Sequence, residues 1–205
     1  MTSNNHFFID LFEYRLGQFT GASSVVLVDS CTNAIFLSLM YLKTYDSVSD
    51  IISIPKQTYV SVPQSVINAG LSVAFDDRNW VGHYQLTGTP VVDAAVGFSR
   101  NMYTGGMMCV SFQQKKALSI GKGGAILLDD PIAAEKLRRM AWDGRDASNS
   151  VADDLPYIIP GYHMNMIPDD AATGILKLNT YPGDKIGSYA DYPDISGCFT
   201  NKRTS

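Results

Sequence analysis

The chain has 205 residues, 45% of them hydrophobic, which is enough to bury a substantial core within one large domain. A formal net charge of -4 with no Lys/Arg-rich run excludes the electrostatic footprint of a nucleic-acid or anionic-lipid binder and leaves small, neutral or locally anionic ligands. Residues 1–6 are polar and no apolar run approaches membrane-spanning length, so a soluble cytoplasmic protein is the simplest expectation.

In chain order, residues 7–19 carry Phe8, Leu11, Phe12 and Leu16 at helical spacing, with Gly21 as a stop signal, and predict an opening helix. Short Val- and Ile-rich runs follow at 25–28, 51–54, 71–75, 90–92, 107–110 and 125–128, each of strand length. Helical patterns separate several of them at 33–42 and 60–69, and others follow at 131–142 and 169–178. Strands alternating with helices predict the α/β class, with a mostly parallel sheet covered on both faces. Residues 179–205, rich in Tyr, Pro, Gly and Asp, predict an irregular surface tail after a domain spanning 1–178.

Cys31, Cys109 and Cys198 form no CxxC spacing, and His6, His83 and His163 are scattered, so neither a disulfide framework nor a metal site is expected. In open α/β sheets ligands gather beyond the carboxyl ends of strands, which directs attention to four places. Asp29-Ser30-Cys31-Thr32-Asn33 joins a strand to a helix and reads either as an ordinary cap or as an anion site. Thr58-Tyr59-Val60 could present an aromatic ring to a planar heterocycle, or Tyr59 is half-buried core. Asp93 ends a strand that should be buried, and there a carboxylate needs either a nearby Arg or the protonated nitrogen of a ligand. Beyond Ser111, the loop to Gly121-Lys122-Gly123-Gly124 brings Lys115 and Lys116, a solvated basic pair or a Schiff-base amine. The glycine turn lacks Walker A spacing, and the chain has no GxGxxG.

Together these strings resemble the DegT/StrS family of sugar aminotransferases, fold type I enzymes that use pyridoxal phosphate (PLP). Asp29-Ser30-Cys31-Thr32-Asn33-Ala34 is similar to the family's N-S-G-T-A-A turn, Thr58-Tyr59-Val60-Ser61 to T-[FW]-V-A, and Val92-Asp93-Ala94-Ala95 to E-D-A-A. Ser111-Phe112-Gln113-Gln114-Lys115-Lys116 and Gly121-Lys122-Gly123-Gly124-Ala125 resemble S-F-H-x-x-K and G-E-G-G-A. Asp143-Gly144-Arg145-Asp146 looks like H-G-R-D, and residues 161–166 look like the G-Y-N-Y segment. The likeness runs from about residue 8 to about residue 178.

The resemblance implies PLP held on Lys116 as a Schiff base, with Asp93 opposite the pyridine nitrogen and Lys116 and Asp93 as the catalytic pair. It implies Thr32, Asn33 and Ser111 at the phosphate, Tyr59 stacked on the ring, and Asn165 reaching the cofactor of a second subunit in a homodimer with shared sites. The implied reaction moves an amino group from glutamate or glutamine to a keto-sugar, nucleotide-linked as is usual in the family. The alternatives are a catalytically reduced dimer with a binding or regulatory role, or another PLP reaction such as elimination. Gln113, Val96, Cys31 and Lys122 depart from the family's usual His, Gln, Gly and Glu. The short chain further implies that residues 179–205 stand where a C-terminal domain is usual.

Overall fold

A computed structural model describes residues 6–183 and 186–199. Helix α1 (Phe7–Thr20) buries Ile9, Phe12, Leu16 and Phe19, one stripe at i, i+3, i+7 and i+10, and leaves Phe8 outward. Gly21 ends it in the left-handed conformation, φ 87°, with its N–H bonded to the Gly17 carbonyl. The remaining elements are β1 (Ser24–Val28), α2 (Cys31–Tyr45), β2 (Ile51–Pro55), α3 (Ser61–Asn68), β3 (Ser72–Asp76), β4 (Tyr84–Gln85), β5 (Val91–Asp93), β6 (Met107–Ser111), β7 (Gly124–Leu128), α4 (Pro131–Ala141), α5 (Val151–Asp154) and α6 (Pro168–Asn179). Pro131 at the first position of α4 and Asp130, whose carboxylate accepts from the Ile132 and Ala133 N–H groups, set that helix's start.

The main sheet has the order β1-β7-β6-β5-β4, and β2 and β3 form a separate parallel pair. The class is α/β as expected, but the main sheet is mixed rather than mostly parallel. Only β5 and β6 pair in parallel there, whereas β7 runs antiparallel to both neighbours and β4 antiparallel to β5. The reason is local. Residues 112–123 contain no helix to carry a crossover, so the chain returns from β6 directly into an antiparallel neighbour.

Strand alternation divides two cores. Val26, Val28, Cys109 and Ile126 face a cluster with Leu37 and Leu42 of α2 and Leu137 of α4, whereas Val25, Leu27, Val110 and Leu127 face Phe12 and Leu16 of α1. Helices therefore cover both faces. Burying each such Val, Leu or Ile is worth about 1.5–3 kcal/mol, which explains why β6 and β7, buried at every position, form the sheet's centre. Among the described residues no helix is long and apolar enough to cross a membrane.

The expected surface tail is irregular, with single 3-10 turns at Tyr189–Asp191 and Ser196–Cys198, but it does more than coat the surface. Gly187 bridges Gly82 and Val96 through backbone hydrogen bonds of 2.8 and 2.9 Å, Tyr189 N–H bonds the Trp80 carbonyl, and Ile195 N–H bonds the Lys56 carbonyl. Ile195 is buried, and Tyr192 packs against the Trp80 ring at 5.7 Å between centroids. Residues 186–192 thereby become one wall of a cavity at the sheet's edge.

Candidate active site

That cavity encloses about 730 Å³, within the range of sites for small molecules, and lies where β1, β5 and β6 end. Its lining brings together Thr32, Tyr59, Asp93, Ser111 and Lys116, residues that lie as much as 84 positions apart in sequence (116 − 32). A smaller cavity of about 250 Å³ lies against α1 and α4. Its arginines are engaged: Arg138 by Glu13, Arg139 by Glu135 and Asp154, and Arg145 by the Asp146 and Asn149 carbonyls.

Asp93, the last residue of β5, is 7% exposed. The Ala95 N–H donates to one carboxylate oxygen and the Tyr84 hydroxyl to the other, both at 2.9 Å. Burial raises its pKa, against the opposing effects of these two hydrogen bonds and the charge of Lys116. Among the described residues Asp93 forms no ion pair, so the nearby Arg left open by the sequence is absent. A buried carboxylate with neutral donors and a cavity before it suits a cationic group brought by a ligand.

Lys116 is half-buried in the loop after β6, its backbone N–H bonded to the Gln113 carbonyl at 2.8 Å. Its ammonium makes no hydrogen bond or ion pair among the described residues, and it is close enough to Asp93 and Cys31 to influence both electrostatically. Lys115 also borders the cavity but is exposed. Ser111 is buried at the end of β6. Tyr59, 57% exposed, stands at the mouth with its ring edge toward Tyr192, 6.4 Å away.

At the start of α2, Ser30 caps the helix by accepting from the Asn33 N–H, and the Thr32 hydroxyl donates to Ser61 Oγ at 2.9 Å. The side chain of Asn33 does not line the cavity. Its amide nitrogen holds the Asp29 carboxylate at 2.6 Å, and Asp29 is paired again with Lys122 at 3.0 Å. An acid at the same helix end thus takes up the Asn33 amide that a ligand phosphate would otherwise receive. Asn165 also lies outside the lining, bridged to Val28 in its own chain, with a buried Oδ1 that has no hydrogen-bond partner among the described residues.

The departures from the family strings have structural counterparts. Lys122 ties the glycine turn to Asp29, and Val96 borders the cavity while its carbonyl accepts from the Gly187 N–H. The Cys31 thiol is buried against the Cys109 carbonyl, and burial holds it well above the usual thiol range, so it is an inert filler. Gly124 is required by proximity: a Cβ there would come within 2.5 Å of Cys31 N and Ser30 C. Gly124→Ala is expected to cost about 1–3 kcal/mol through displaced backbone, read as a lower urea midpoint at unchanged slope.

Sequence reasoning missed Tyr84, Trp80 and Tyr192, and it picked out Thr58 only as part of the Thr58-Tyr59-Val60 segment, without a role of its own. Only Tyr84 could have been suspected, as a polar aromatic nine positions before a buried acid across a Gly-containing turn.

Buried Asp93 at the end of β5, Lys116 in the loop after β6 with no side-chain partner among the described residues, and the capped start of α2 border one cavity in an α/β fold, the arrangement of a fold type I PLP-dependent transferase. The chain belongs to the DegT/DnrJ/EryC1/StrS aminotransferase family, whose model matches residues 4–83 and 92–183. The cofactor of that family is PLP. A curated relative, the spore coat polysaccharide biosynthesis protein SpsC of Bacillus subtilis (strain 168), is 25% identical over 224 aligned positions, covering 83% of this chain and 56% of SpsC. The chain thus spans about half the length of that relative. Among solved structures, AtS13 from Actinomadura melliaura superposes with a TM-score of 0.73 at 18% identity, over 85% of this chain and 60% of its own. Helicobacter pylori PseC, an aminotransferase involved in the biosynthesis of pseudoaminic acid, gives 0.68 at 15% identity, over 85% and 58%. At these identities the likeness is one of fold.

Proposed function

We propose that this chain binds PLP in the 730 Å³ cavity and moves an amino group from glutamate or glutamine to a keto-sugar, nucleotide-linked. The observation that carries the reading is one cavity holding both the buried Asp93 carboxylate and the Lys116 ammonium, neither of which forms an ion pair among the described residues. The names of SpsC and PseC, with polysaccharide and pseudoaminic acid biosynthesis in them, support a sugar acceptor.

When bound, PLP supplies an electron sink for the carbanion formed at the donor's α-carbon. Asp93 would hold its negative charge against the protonated ring nitrogen, and Lys116 Nζ would link to the cofactor's aldehyde carbon and carry the donor's α-proton. Thr32 and Ser111 would offer hydroxyls to the phosphate at the N-terminus of α2, together with the Asn33 backbone rather than its side chain. Tyr59 would flank the ring. Residues 186–192 would narrow the mouth and limit water. Asn165 would offer its side-chain amide N–H to the phosphate of a second subunit's cofactor in a homodimer. Cys31, Cys109 and Cys198 carry free thiols, which supports a reducing compartment such as the cytoplasm.

The purified protein mixed with PLP is expected to develop visible absorbance that L-glutamate or L-glutamine shifts to shorter wavelength as the amino group is transferred. Absorbance that forms but does not respond to either donor would leave a PLP-binding protein without transamination. No binding of PLP would overturn the reading.

A further inference from the structure

Strands β4 and β5 pair antiparallel with Tyr84 directly opposite Asp93, so the two side chains leave the same face of the hairpin. Tyr84 is buried, and its ring is packed against Trp80 at 4.9 Å. An ionised carboxylate can only accept, so the Tyr84 hydroxyl spends its one proton on Asp93 Oδ2. Its oxygen is then left as acceptor for the buried Thr58 hydroxyl, with which it is also bonded. The direction of both bonds follows: Thr58 to Tyr84 to Asp93.

We propose that Tyr84 is a positioning residue that, through this hydroxyl relay, keeps Asp93 anionic and oriented toward the cavity for the cofactor's ring nitrogen. The proposal rests on the PLP reading of the site. Of the relay, Tyr84 alone falls between the two blocks matched by the family model, 4–83 and 92–183, whereas Thr58 and Asp93 lie within them. Without the relay, a carboxyl group in this burial would hold its proton to higher pH. Burial also keeps the Tyr84 phenol protonated well above the ordinary range, which preserves it as a donor.

The other ionisable groups around Asp93 are Cys31 at the start of α2, Cys109 on β6, Lys116 in the loop after β6, and Tyr192 in the tail. Burial raises both thiols and pushes Tyr192 up to about 12, so these three are neutral at ordinary pH. Among the described residues, Lys116 and Tyr84 are the side chains that favour the Asp93 anion, and of the two Tyr84 is hydrogen-bonded to it.

The test is an infrared pH titration of the cofactor-free protein, with the Asp93 carboxyl band assigned by its loss in Asp93→Asn. A hydrogen bond to a charged group is worth enough to shift proton affinity about tenfold, so Tyr84→Phe should raise the midpoint by roughly one pH unit. Thr58→Val, which removes only the outer link, should raise it by less. In parallel, the loss of PLP affinity on acidification should begin about one pH unit higher in Tyr84→Phe than in the unaltered chain. An unmoved midpoint in natively folded Tyr84→Phe overturns the proposal, as does an unmoved midpoint in Thr58→Val should the first variant not fold. An unaltered chain that binds no PLP while its Asp93 midpoint still responds to Tyr84→Phe overturns the aminotransferase reading instead, so the two failures are distinguishable.

Discussion

Lys116→Ala is expected to abolish covalent retention of the cofactor and to lower amino transfer by about 10²- to 10⁴-fold, the range that a positioned proton-transferring group contributes. Borohydride treatment of the PLP-loaded protein followed by mass spectrometry should leave one reduced cofactor on the unaltered chain and none on Lys116→Ala. Lys115→Ala should keep the label. The two lysines are adjacent in sequence, and the structure separates them by burial: Lys115 is exposed at the rim, whereas Lys116 is half-buried and close enough to Asp93 to influence its protonation. A label that moved to Lys115, or persisted in Lys116→Ala, would show that the amine had been misassigned. The substitution should leave stability nearly unchanged, because Lys116 Nζ makes no hydrogen bond or ion pair among the described residues.

Asp93→Asn should separate function from stability. Truncating one partner of a buried, hydrogen-bonded charge pair costs about 2–5 kcal/mol, so PLP affinity should fall roughly 30-fold to several thousand-fold. The folded protein should not suffer. Burial raises the Asp93 pKa, against hydrogen bonds from Ala95 and Tyr84 and the charge of Lys116. The folded chain therefore binds that proton more tightly than the unfolded chain does. Stability falls as pH rises from the ordinary carboxylate value through the raised folded value, and above it the whole cost of the buried anion is present. Asparagine removes that cost. Its amide can donate to Tyr84 while Tyr84 turns to donate to Thr58, so no buried group need lose its partner. The thermal midpoint near neutral pH should be equal or higher, and its advantage over the unaltered chain should shrink as pH is lowered. A clear loss of stability in Asp93→Asn at neutral pH would mean that the anion is held more favourably by its surroundings than its burial suggests.

Most of the regular structure was legible because each element carries its own periodicity. The stripe in α1, the Asp130-Pro131 start of α4 and the Val- and Ile-rich strands are local patterns whose meaning does not depend on distant residues. The strand directions were less so. A run such as residues 125–128 reads the same whether its neighbour is parallel or antiparallel, and β7 takes the antiparallel course because residues 112–123 hold no crossover helix. In the candidate site, Asp93, Ser111 and Lys116 stood out through short strings at strand ends. The orientation of Asn33 did not, since its side chain is committed to Asp29 and that acid is committed in turn to Lys122 from another loop. Tyr84 was overlooked because a two-residue strand has no period to detect.

By itself the sequence determined the α/β class, the places where strands end and the ionisable groups set there, because such features depend on neighbours within one turn or one strand. The tertiary structure alone decided which of those groups share a cavity and what each one touches. It set a neutral hydroxyl relay, rather than an arginine, against Asp93. It also turned residues 186–192 from part of an irregular surface tail into a wall of the site. Both outcomes arise from contacts between segments far apart in the chain, where burial and hydrogen-bond satisfaction outweigh local propensity.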